Sequence, residues 1–136
     1  MKPLSQTITE VGKGNCLAAC VASILEVSLE SVPDLQCGVN FRGLQEYLAG
    51  FNLTAIWLHC PELGSAYVGY TPEYCILIGD SPRNEKLRHA VVGRPKGYGY
   101  ETVHDPHPDG YGLKGEPESV IYLGILGTIK FSEENI

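Results

Sequence analysis

The sequence predicts an α+β domain in which N-terminal helices pack on an antiparallel β-sheet. Three observations point there. Apolar residues recur at helical spacing only in roughly the first fifty residues; short apolar runs bounded by glycine and proline follow; and helices and strands do not alternate as they would in a parallel βαβ sheet. With 136 residues, one domain spanning 1–136 is expected, long enough for a real core and too short for two ordinary ones.

Residues 1–14 read as an extended or looped lead-in. Gly12 and Gly14 then allow a sharp entry into a helix, Asn15 is a good capping type, and from Cys16 the residues are small or apolar until Glu26. This helix should be buried, with Cys16 at its N-terminus. Residues 28–34 form a short capped turn of helix stopped by Pro33. Asn40 caps a second helix whose Leu44, Tyr47 and Leu48 share one face and which ends at Gly50. Strands are expected over 53–59, 74–79, 89–93, 100–104 and 119–126, with a tight turn at Gly97, Tyr98 and Gly99 and a loop over 60–73. An acidic tail runs to Ile136, and no internal repeat or low-complexity segment is present.

Composition narrows the function. Hydrophobic residues make up 43% and charged residues 19%, ordinary for a globular chain. The net charge is −6 and the ten basic residues are scattered, which argues against nucleic acid as a partner. The N-terminal residues lack the apolar run of a signal peptide, and no stretch of about 18 apolar residues could span a bilayer, so no membrane association and a cytoplasmic, reducing location are expected. Five cysteines, Cys16, Cys20, Cys37, Cys60 and Cys75, form no CxxC pair, and an odd number cannot all pair within one chain.

The candidate chemistry centres on Cys16. At a helix N-terminus the macrodipole and the free amide groups favour a thiolate, the reactive form; the plain alternative is a small buried core residue. A catalytic thiol needs a histidine to move its proton and a third group to orient that histidine. His89 opens one strand and Asp105 follows the next, so in an antiparallel pair the two meet at one end. His59 reads as structural and His107 as part of a proline-rich turn. Cys20, one helical turn beyond Cys16, could resolve a disulfide in a redox protein, but its apolar surroundings and the absence of CxxC spacing favour a core residue.

These stretches also resemble a family. GNCLAACVASIL, then SPR, RHAVVG and VHDPHPDGYGL, in that order over roughly residues 6 to 125, are similar to the small papain-like cysteine peptidase and hydrolase domains of bacteria and phages. The resemblance implies a papain-like fold and a thiol hydrolase cleaving a peptide or amide bond through an acyl-enzyme. It makes Cys16 the nucleophile, His89 the general acid/base and Asp105 the orienting group. Gln6, the only glutamine ahead of Cys16, would be the oxyanion donor, although it lies farther upstream than in papain; the Cys16 amide would be the second donor. No cofactor and no metal are expected; the partner is a peptide, protein or amide substrate, and oligomeric state is not legible. The loops at 60–73 and 80–88, with Tyr67, Tyr70 and Arg83, are candidate substrate contacts. Two other readings stay open: a catalytically silent papain-like module that binds a peptide, protein or glycan, and a metal site built on His104, Asp105 and His107, with His89 as a further donor.

Overall fold

The computed structural model describes residues 1–9, 14–35, 40–59, 73–84, 86–97 and 99–125. Small residues let the first helix sink into the middle of the molecule: α1 (Cys16–Leu25) is buried from Cys16 through Ser23. It stops where Glu26 turns left-handed at φ 59°, its amide bonded to the Ala22 carbonyl. A 3-10 turn, Leu29–Ser31, follows; Ser28 makes no side-chain cap, and instead Ser31 Oγ donates to the Ser28 carbonyl at 2.7 Å. In α2 (Phe41–Ala49) the expected cap forms, Asn40 Oδ1 accepting the Gly43 amide at 3.1 Å, and Leu44 and Leu48 are fully buried.

Among the described residues five strands build one antiparallel sheet in the order β1-β5-β2-β3-β4: β1 (Leu53–His59), β2 (Cys75–Asp80), β3 (Arg88–Lys96), β4 (Gly99–His104) and β5 (Lys114–Ile125). The architecture is α+β, as the pattern predicts. α1 packs on β3 and β2, and α2 on β1. Gln45 of α2 is bonded along β1: its Oε1 accepts the Ala55 amide and Thr54 Oγ1, and its Nε2 donates to the Ala55 carbonyl. Alternate residues of the inner strands serve two clusters. Ile76, Ile78, Ala90, Val92 and Ile121 join the helices, whereas Cys75, Leu77, Val91, Val120 and Tyr122 form a smaller group with Ile56, Leu58, Tyr100 and Leu113. Burial on both faces explains why β2 is a continuous apolar run rather than an alternating one.

Two strands exceed their expected limits by more than one residue. β3 runs on to Lys96 through Pro95, which pairs with Tyr100, and β5 begins at Lys114 and passes through Pro117. β5 crosses a register shift against β2 between Ile78 and Asp80, where the ladder is already broken and a proline without an N–H is tolerated. Gly97, at φ 60°, supplies the left-handed residue of the β3–β4 connection.

Candidate active site

Helix α1 and the β3–β4 pair converge on one cluster. Cys16 is the first residue of α1, 6% exposed, and its thiol is within hydrogen-bonding reach of the His89 ring. His89 Nε2 donates to Asp105 Oδ1 at 2.7 Å, so Nδ1 is the nitrogen that remains for the sulfur. His89 and Asp105 are 3% and 4% exposed. The antiparallel register brings them together: His89 lies near the start of β3 and Asp105 follows the end of β4. Cys16, His89 and Asp105 therefore form one connected line, whereas His59 lies exposed at the end of β1.

The Asp105 carboxylate is held by a turn built for it. Oδ1 also accepts the His107 amide at 2.9 Å, and Oδ2 accepts the Gly112 amide at 2.8 Å. Gly112 sits at φ 73°, a conformation costly for any residue with a Cβ, and this lets the chain fold back so that its amide meets the carboxylate. Burial alone would push the Asp105 carboxyl up; the His89 bond and the two amides outweigh it and hold it at about 2. For His89, burial disfavours the cation, but the Asp105 carboxylate and the Cys16 sulfur outweigh that and lift it to about 9. An imidazolium at neutral pH beside a helix N-terminal cysteine is a setting that favours thiolate. Cys20 behaves oppositely: full burial, then the Cys16 and Asp105 charges, push its thiol well above the ordinary range, which suits a core residue and not a resolving thiol.

Gln6 comes from an N-terminal strap laid between α1 and the Asp105 turn. The Leu4 amide donates to Ser23 Oγ at 2.9 Å, His104 Nε2 donates to the Leu4 carbonyl at 2.7 Å, and the Gln6 amide donates to the Pro106 carbonyl at 2.9 Å. The buried Gln6 side chain gives Nε2–H to the Ile8 carbonyl at 2.8 Å, and its Oε1 has no hydrogen-bond partner among the described residues. Asn15, expected as the cap of α1, makes no side-chain cap. Its Oδ1 accepts the amides of Thr7 and Ile8, each at 3.0 Å, and its Nδ2 donates to Thr7 Oγ1 at 3.0 Å. Nothing local marks this role, because an asparagine before a helix looks the same whether it caps the helix or reaches back.

The other candidates are placed differently. His104 is committed to the strap, His107 Nδ1 accepts the Asp109 amide at 3.1 Å, and Asp105 is saturated by His89 and two amides. The metal alternative thus lacks converging donors, and among the described residues no three His, Cys, Asp or Glu side chains could hold a metal ion. Arg83 is ion-paired to Asp109 at 2.7 Å, fixed to the turn that carries Asp105. Tyr67, Tyr70, Cys37, Cys60 and the tail lie outside the described residues. Among the described residues no helix is long and apolar enough to cross a membrane.

No protein-family model matches the chain, and no curated protein does. Its fold is similar to that of the peptidase domain of Streptococcus ComA, a bi-functional ABC transporter involved in a quorum-sensing pathway. The TM-score is 0.59 at 17% sequence identity, with 91% of this chain and 98% of that one covered. The two chains thus share a fold over nearly their whole length.

Proposed function

We propose that the chain is a papain-like cysteine peptidase or amidase that works through an acyl-enzyme on Cys16. The observation that carries the reading is the hydrogen-bonded line from the Cys16 thiol through His89 to Asp105 at the start of a buried helix. In this reading the Cys16 thiolate attacks the carbonyl carbon, and the new oxyanion is met by the Cys16 amide and the Gln6 carboxamide. His89, held in one orientation by Asp105, gives its proton to the departing amine. Water then loses a proton to His89 and attacks the thioester, and sulfur leaves as thiolate. Asp105 stays ionised throughout, since three donors hold its carboxylate.

The test is cleavage of a complex peptide mixture, read by mass spectrometry, with the parent against Cys16→Ala. New termini that depend on Cys16 and fall by orders of magnitude in His89→Ala support a peptidase. Identical peptide profiles for parent and Cys16→Ala would overturn it.

A further inference from the structure

Asn15 joins the nucleophile's helix to the strap carrying Gln6 through both its side chain and its backbone. Four of its bonds run to Thr7 and Ile8: three through the side chain, each 3.0 Å, and one from its backbone amide to the Ile8 carbonyl at 3.3 Å. That carbonyl is also the acceptor for Gln6 Nε2 at 2.8 Å. The Ile8 carbonyl therefore has its position set by Asn15 and in turn sets the Gln6 carboxamide. The same bond decides which way the amide faces, because Oε1 could not approach a carbonyl oxygen. At its other side the Asn15 carbonyl accepts the Ala19 amide at 3.0 Å, the first backbone bond of α1. A residue type well suited to cap the helix is thus diverted from capping it.

We propose that Asn15 is a positioning residue for acyl transfer: by clamping Thr7 and Ile8 it fixes the Gln6 carboxamide relative to the Cys16 sulfur, so that the oxyanion meets a preformed donor. This rests on the hydrolase reading above. It extends the working parts beyond Cys16, His89, Asp105 and Gln6, and it explains how a glutamine ten residues upstream of the cysteine serves the site: Asn15, next to the cysteine, is bonded back to Thr7 and Ile8, next to the glutamine. A small displacement of such a donor is costly, since a misplacement of about 1 Å can lower a rate roughly 100-fold.

The test compares two reactions of the same sulfur in the full chain. Acylation by p-nitrophenyl acetate passes through an oxyanion; alkylation by iodoacetamide, a displacement at a saturated carbon, does not. Asn15→Ala should slow Cys16 acylation by roughly 10- to 100-fold and leave alkylation within about twofold, since no oxyanion forms there. Gln6→Ala should show the same split, and the double variant should be no slower than the slower single one, because both remove one function. Asn15→Asp keeps the acceptor for both amides and should recover most of the acylation rate. Equal losses in both reactions, or losses that multiply in the double variant, would overturn the proposal. Should Asn15→Ala fail to fold by circular dichroism, Thr7→Val removes one clamp bond at an exposed site. It must then show the same split in smaller measure, and its absence counts against the clamp. A parent that alkylates at Cys16 but never acylates would defeat the hydrolase reading itself, and this inference with it.

Discussion

Replacing Asp105 by asparagine tests the electrostatics of the site with almost no change of shape. In the parent, burial, the Asp105 carboxylate and the Cys16 sulfur together set His89 at about 9 against an ordinary 6.5. At 1.36 kcal/mol per pKa unit this is a preference of about 3 kcal/mol for the imidazolium. Asparagine can keep its oxygen on His89 Nε2 and the His107 amide. Its NH2 group then faces the Gly112 amide, donor against donor, where the parent has a 2.8 Å bond. The reversed rotamer is worse, because it sets NH2 against two donors. Only the sulfur's share of the lift survives, and His89 should fall by about 1–2 units, the usual effect of one adjacent opposite charge.

The assay is the rate of Cys16 alkylation by iodoacetate across pH, mapped by peptide mass spectrometry to separate Cys16 from the other thiols. An anionic reagent is drawn to an imidazolium beside the sulfur, so the rate should drop as His89 loses its proton. That break is expected near pH 9 in the parent and about 1–2 units lower in Asp105→Asn. A break that does not move would refute the carboxylate as the main support of the imidazolium. A parent without a break near that pH would refute the ion pair.

Two further outcomes follow from the same structure. His89 is raised in the folded state, so its contribution to stability is complete below its ordinary 6.5 and is lost as pH rises through about 9; Asp105 is depressed, so its contribution is present above 3.8 and fades as pH falls toward about 2. These are one interaction seen from two partners and count once. The Tm should fall by on the order of 5–10 °C between neutral pH and pH 10, and calorimetry should find much of that slope missing in Asp105→Asn; equal slopes would contradict the assignment. Gly93→Ala probes β3 where its register against β4 shifts, between Val92 and Gly93: a Cβ there would meet the Leu77 side chain and lie 2.8 Å from the Glu101 carbonyl oxygen, a backbone atom with little room to yield. A loss of about 1–3 kcal/mol in urea unfolding is expected, and an unchanged midpoint would mean that the strands part at no cost.

Much of this arrangement was legible because it is written locally. The start of α1 at Cys16, the Asn40 cap and the buried runs of β2 and β3 follow from spacing and neighbouring residue types, and the chain order of Cys16, His89 and Asp105 on those elements followed from them. What escaped depends on distant partners. The strap has no periodicity to read, since its bonds go to Ser23, His104 and Pro106 rather than along itself. Asn15 has the residue type of a cap but reaches back to Thr7 and Ile8. Arg83 looked available in its loop, and only the fold shows Asp109 opposite it. The strands expected over 89–93 and 119–126 also fall short, because β3 continues through Pro95 and β5 begins ahead of Pro117.

If the chain works as proposed, the buried pair is better explained by reactivity than by stability. Withdrawing two charges from water costs several kcal/mol per ion, and attraction compensates only if the remaining lone pairs are satisfied. Asp105 meets that condition, with a third and fourth residue supplying amides to its carboxylate, but apolar side chains of similar volume would fill the same space without needing them. The local cost extends further: Gly110 and Gly112 both stand at positive φ, α1 begins without a side-chain cap, and Gln6 Oε1 lacks a partner among the described residues. None of these strengthens the core, which the α1 small residues and the two-sided sheet already provide. In the function proposed above they serve one sulfur instead: acyl transfer there would draw on the His89 imidazolium, the helix N-terminal amides and the Gln6 carboxamide.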